Sequence, residues 1–212
     1  MQVANLKDYE NEEVWNVLTH FLGVLLSVIG IPFLFYFNNT TTVLSTLSIT
    51  LFSFGLLFVY TSSTLYHFVL NPKLKRRLQV LDHISIYFLI MGSYAPVCLI
   101  TLYHSSGLTI FFAVLTLLFI GTIKKLFFTG KFEYLSLFLY LTMGWLIVID
   151  INSLFGLMGT QAQLLLILGG VSYTLGVIFY AYSRIKYFHS IWHVFVLIGS
   201  ALHYFMILWF VI

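Results

Sequence analysis

The sequence predicts an all-α fold, a bundle of seven transmembrane helices, from three observations. Of 212 residues, 60% are hydrophobic and 8% charged, whereas soluble domains carry about 25% charged residues. Apolar runs of about 20 residues, the length that crosses a bilayer, recur from end to end and leave no room for a soluble domain. All ten Lys and Arg residues fall on one side once seven spans are drawn, as their preference for short cytoplasmic loops requires. Residues 1–212 are therefore expected to form one membrane domain with a cytoplasmic N-terminus and an external C-terminus. Residues 1–13 would be a short cytoplasmic segment.

The spans are expected near 15–37, 43–70, 80–101, 107–123, 133–151, 162–182 and 188–212. The first follows an acidic stretch, Asp8, Glu10, Glu12 and Glu13, rather than a basic one. It is also too long for a signal-peptide core, so it reads as a retained span. The second ends in a break, Asn71 to Arg77, that carries Lys73, Lys75, Arg76 and Arg77. The third opens on Leu81-Asp82-His83, with Asp82 standing where a helix cap would stand. Gly92 with Pro96 in that span, and Gly169-Gly170 in the sixth, read as packing or kink positions. Lys124, Lys125 and Lys131 lie in the break after the fourth span, and Arg184 and Lys186 precede the seventh. Six or eight spans would scatter these charges over both faces.

Several function classes drop out. Cys98 is the one cysteine, so there is neither a disulfide framework nor a cysteine metal site. A formal charge of +3 spread over short connections gives no support for nucleic-acid binding, and no glycine-rich phosphate loop appears. Asn38-Asn39-Thr40 and Asn39-Thr40-Thr41 match the glycosylation acceptor pattern on the external side, a pattern without meaning in a bacterium.

The ionisable residues that remain gather at the inner leaflet. Glu13, Asn16 and His20 enter span one within a sector of about 60°. Ser63 and His67 leave span two one helical turn apart, Asp82 opens span three, and His189 and His193 open span seven. Two histidines four residues apart share a helical face, at a spacing that can grip one zinc ion with Zn–N bonds of about 2.0–2.1 Å. Three neutral imidazoles would leave a fourth position for water, whose pKa falls to near 7 on the metal. Asp82 would orient that water, act as base or support a ligand histidine. Ser63 would donate to a developing oxyanion. Snorkelling to water and helix capping are the plainer explanations for each residue alone, and Glu13 reads as a first-turn acid by the helix-dipole rule.

Other polar residues read as structural. His83 points about 100° away from Asp82 and suits an inter-helix or interfacial hydrogen bond. His104 falls in an external loop, and Asp150 suits a cap or local bond at the outer end of span five. His203 lies about 15 Å further along the helix axis than His193, so it cannot share the same ion and suits a bond to a neighbouring backbone.

Taken together, Glu13-x-x-Asn16-x-x-Thr19-His20, Ser63-x-x-Tyr66-His67, Leu81-Asp82-His83 through Gly92-Ser93-Tyr94-Ala95-Pro96, and His189-x-x-x-His193 with the later His203 resemble the bacterial hemolysin III proteins. Those belong with the progestin and adipoQ receptors and are more distantly similar to the alkaline ceramidases. The resemblance covers nearly the whole chain and implies seven spans with an internal N-terminus. It also implies a zinc ion (Zn2+) held by His67, His189 and His193, with Asp82 close to the metal-bound water and Ser63 beside it. In the animal relatives such a site is linked to hydrolysis of the ceramide amide bond.

The leading expectation is a zinc-dependent membrane hydrolase of a lipid amide or related acyl lipid, in the bacterial inner membrane. A membrane-state sensor with a structural zinc and a pore-forming cytolysin are the alternatives. Against a pore, the spans show no polar stripe from face to face.

Overall fold

The structure is a computed structural model that describes residues 2–39 and 42–212, with side chains described from Asn11 onward. Thr40 and Thr41 of the glycosylation pattern lie outside the described residues. Among the described residues every regular element is helical. Seven helical segments are long and apolar enough to cross a membrane, the number expected from the charge distribution. Large apolar side chains such as Ile29, Phe119 and Trp209 stay exposed, as a surface solvated by lipid requires.

Helix α1 covers Gln2–Tyr36 and α2 covers Val43–Phe68. The Thr42 side chain caps α2 by accepting from the Ser45 N–H at 3.1 Å. Helix α3, Pro72–Pro96, begins eight residues before the expected span, because Asn71 and Pro72 make a start signal inside the charged break. Asn71 Oδ1 accepts from the Lys73 and Leu74 N–H groups, and proline suits the first helical position. Asp82 is therefore well inside α3 and is not its cap.

Pro96 has no N–H to give, and the helix relaxes after it into a wider π turn, Val97–Thr101. The kink expected at Pro96 takes this form. Gly92 serves packing: a Cβ there would stand 2.7 Å from the Leu51 carbonyl oxygen of α2. No side chain fits between these two backbones.

Helix α4, Gly107–Phe128, continues through Lys124 and Lys125, which had been expected in the connection. The fifth span is broken into α5, Glu133–Trp145, a 3-10 turn, Leu146–Asp150, and α6, Ile151–Leu157. The break has a tertiary cause. The Tyr94 hydroxyl donates to the Gly144 carbonyl at 2.8 Å and accepts from the Ile147 N–H at 2.9 Å, drawing both groups out of the helical ladder. Residues 152–157, expected in a connection, are helical. Helix α7 covers Thr160–Ala181 and α8 covers Phe188–Phe210.

Alternating helix directions bring the first half of α1, the end of α2, the start of α3, the end of α4, the start of α5, the end of α7 and the start of α8 to one end of the bundle. That end carries Lys73, Lys75, Arg76, Arg77, Lys131, Arg184 and Lys186. The histidine-rich helix ends lie just inside it.

Candidate metal centre

His67 occupies the last turn of α2, and His189 and His193 occupy the first two turns of α8. One ligand nitrogen from each lies within 4.8 Å of the others. Ring centroids are 5.1 Å apart for His67 with His189, 5.1 Å for His67 with His193 and 4.6 Å for His189 with His193. Small side-chain rotations suffice to bring three such nitrogens round one ion. This is the one group of three or more metal-ligating side chains found among the described residues.

Hydrogen bonds fix the direction of two of the rings. Nδ1 of His67 lies 2.5 Å from Glu13 Oε2. A carboxylate only accepts, so Nδ1 carries a proton and Nε2 is the nitrogen left for an ion. That Nε2 is buried without a partner, as is Nε2 of His189. Nδ1 of His193 donates to the Asn16 carbonyl at 3.3 Å and faces the Thr19 hydroxyl at 3.1 Å. The Thr19 hydroxyl gives its own proton to the Trp15 carbonyl at 2.8 Å. With Nδ1 engaged, His67 and His193 each have Nε2 left for a metal, and imidazole nitrogens are donors a transition metal takes. Leaving buried nitrogens unpaired costs about 1–3 kcal/mol each, and a bound cation removes that cost.

Asp82 and Ser63 reach the same place. Both line one cavity together with His20, His189 and His193. Asp82 is 8% exposed, and the Ser63 hydroxyl is buried without a partner. His20 stacks on His193 with centroids 3.6 Å apart, and both of its nitrogens are likewise unpartnered. From this end the cavity continues past Val59, Leu89 and Val196 to Tyr173 and His203. A second pocket shares Gly144, Gly170 and His203 with it. A Cβ added at Gly144 or Gly170 would meet nothing within 4 Å, so Gly170 borders open space instead of a packed helix. Gly169 does pack: a Cβ there would stand 2.3 Å from the His203 ring.

The residues read as structural divide as follows. Nε2 of His203 donates to the Leu166 carbonyl at 3.3 Å, the backbone bond expected of it. His83 makes an inter-helix contact, its Nδ1 lying 3.1 Å from Lys125 Nζ. Asp150 accepts from the Ser106 hydroxyl at 2.5 Å at the start of α6, and His104 lies exposed in a turn. Glu13 departs from expectation. Because α1 starts at Gln2, Glu13 is three turns into the helix, not a first-turn acid, and it bonds both His67 and Lys75. The sequence signal for this role was the shared sector of Glu13, Asn16 and His20. Their partners on α2 and α8 are set by tertiary packing.

Fold and site together define a multi-pass integral membrane protein with a buried histidine cluster at one end of its bundle. The sequence model of the haemolysin-III-related family matches residues 9–204, and the chain belongs to that family. A hemolysin-3 homolog of Bacillus subtilis is 40% identical over 200 residues, covering 94% of each chain. Hemolysin-3 of Bacillus cereus is 34% identical over 212 residues, covering 100% of this chain and 97% of its own. The human monocyte to macrophage differentiation factor is 28% identical over 202 residues, covering 92% and 83%. No solved structure matches. These relatives place the protein in the bacterial cell membrane.

Proposed function

We propose that the protein is a zinc-dependent membrane hydrolase that cleaves a lipid amide, of the ceramide kind, or a related acyl lipid. The observation that carries this reading is the continuity of one cavity. It joins His189 and His193 of the three-histidine cluster, Asp82 and the unpartnered Ser63 hydroxyl to a long apolar corridor. Neutral nitrogen donors without sulfur, three in number, suit a catalytic zinc site with an open fourth position. When bound, zinc supplies a water acidic enough to act at neutral pH and polarises an acyl carbonyl.

The chain's own residues do the rest. His67, His189 and His193 hold the ion. The corridor takes the acyl chain, admitted from the lipid between α5 and α7 beside Gly144 and Gly170, and excludes bulk water. The Ser63 hydroxyl donates to the carbonyl oxygen as negative charge develops there. The Asp82 carboxylate accepts the proton from the attacking water and returns it to the leaving nitrogen. One C–O bond forms, the C–N bond breaks, and a fatty acid and an amine result. By the clustering of basic residues, the centre sits at the cytoplasmic leaflet.

The test is turnover of long-chain ceramides and of membrane lipid extracts by purified protein, read as released fatty acid. Release by the wild type and its loss in Asp82→Asn and His193→Ala is the expected result. Equal release from all three proteins overturns the proposal.

A further inference from the structure

Helix α1 gives no side chain to the His67, His189 and His193 cluster, yet it touches two of the three. Glu13 lies against His67, while Thr19 and the Asn16 carbonyl lie against His193. Asn16 Oδ1 also accepts from the Ser190 hydroxyl at 2.6 Å, within the same turn of α8 as His189. Of these contacts the first is the shortest and the most strongly anchored. Glu13 Oε2 accepts from His67 Nδ1 at 2.5 Å, while Oε1 accepts from Lys75 Nζ at 2.9 Å. Lys75 belongs to α3 and also lies over the Tyr66 ring, 5.2 Å from its centroid. Tyr66 precedes His67 in the chain.

We infer that Glu13 is a positioning residue for the metal centre, acting through His67 and held in place by Lys75. The inference rests on the zinc reading given above. Its physical basis is twofold. A carboxylate on Nδ1 fixes the tautomer that leaves Nε2 free for the ion and makes that nitrogen a stronger donor. The Lys75 ammonium holds the carboxylate against His67 and offsets the charge that would otherwise be stranded at the end of three helices. Deleting the carboxylate frees the His67 ring to rotate and to take the other tautomer, in which Nε2 carries the proton and cannot bind a metal. Outer-shell partners of this kind are worth about 10–100-fold in metal affinity. Lys75 touches no ligand, so its removal is expected to cost less than removal of Glu13.

The experiment is zinc binding by the full-length protein in detergent, by competition with a chelator of known affinity. Cobalt(II) absorption serves as a spectroscopic check on the coordination, and melting of the metal-free protein as a check on the fold. Glu13→Ala is expected to bind zinc about 10–100-fold more weakly with a changed cobalt spectrum. Glu13→Gln, whose side-chain oxygen still accepts from Nδ1, is expected to fall between Glu13→Ala and wild type, and Lys75→Met to fall between Glu13→Gln and wild type. Lys75→Met and Glu13→Ala break the same ion pair, so a loss of zinc affinity in Glu13→Ala beyond that of Lys75→Met, at matched metal-free melting, separates positioning from general destabilisation. If Glu13→Ala and Glu13→Gln bind zinc as tightly as wild type, the assignment of Glu13 is wrong and the zinc reading stands. If the wild type takes up no zinc, the zinc reading fails and this inference fails with it.

Discussion

Two groups of buried ionisable side chains sit at the same end of the bundle, and they differ in how far they satisfy themselves. Around Lys125, which is 0% exposed, the ammonium donates to Glu133 Oε2 at 2.7 Å and to His83 Nδ1 at 3.1 Å. The backbone of His83 is tied in turn to the Tyr140 hydroxyl at 2.9 Å, and Lys124 bonds the Ser136 hydroxyl. The charge is paired, and its partners come from α5 and α3, so that with its own α4 it fastens three helices together. Around His67, His189 and His193, by contrast, Nε2 of two ligands, both nitrogens of His20 and the Ser63 hydroxyl are buried with no partner, and His20, Ser63 and His189 line one cavity. A buried charge is expensive in either place, so burial of ionisable groups does not separate a site from a staple. Convergence of unsatisfied atoms on a shared cavity does.

The largest effect expected from this contrast is on metal content. Wild-type protein should carry one equivalent of zinc by elemental analysis, and His189→Ala or His67→Ala should carry essentially none. The Lys125→Met variant should keep its full equivalent, and loss of metal there would mean that the two clusters are a single unit.

Next comes turnover. With zinc retained, Asp82→Asn should lower the rate of lipid hydrolysis by about 10²–10⁴-fold, the usual worth of a positioned acid–base group. An unchanged rate would remove Asp82 from the proton path.

Stability should show the reverse sensitivity. Lys125→Met removes the cation from Glu133, whose side chain is 34% exposed, and should destabilise the fold by about 1.5–3 kcal/mol, the worth of hydrogen bonds to a charged group, measured by denaturant unfolding in detergent. Smallest of all, His203→Leu removes one bond to the Leu166 carbonyl and should cost about 1 kcal/mol, with zinc content unchanged. A conductance abolished by that substitution in planar bilayers would instead give His203 a role in a pathway.

Hydropathy and the one-sided distribution of Lys and Arg made the number of spans legible in the sequence, because both follow from the membrane itself. Local chemistry inside the spans was harder to read. The start of α3 was masked by the charges of Lys73 to Arg77, although Asn71-Pro72 carried the capping signal. The break after Trp145 depends on Tyr94 from another helix, and no local pattern announces it. Within the site, the four-residue spacing of His189 and His193 was plain, and the motif resemblance supplied His67. The work of Glu13 was hidden twice: the helix extends further toward the N-terminus than hydropathy suggests, and His67 and Lys75 lie more than fifty residues away. Lys125 looked like an ordinary loop cation for the same kind of reason, since its carboxylate and imidazole partners come from α5 and α3.

The account depends above all on His67, His189 and His193 enclosing one ion. X-ray absorption at the zinc edge, on protein purified without added chelator, tests that most directly. The expected spectrum is four-coordinate zinc with three imidazole nitrogens at about 2.0–2.1 Å and one oxygen from water. A metal-free protein, or zinc in an oxygen-only shell unaffected by His67→Ala, would contradict it.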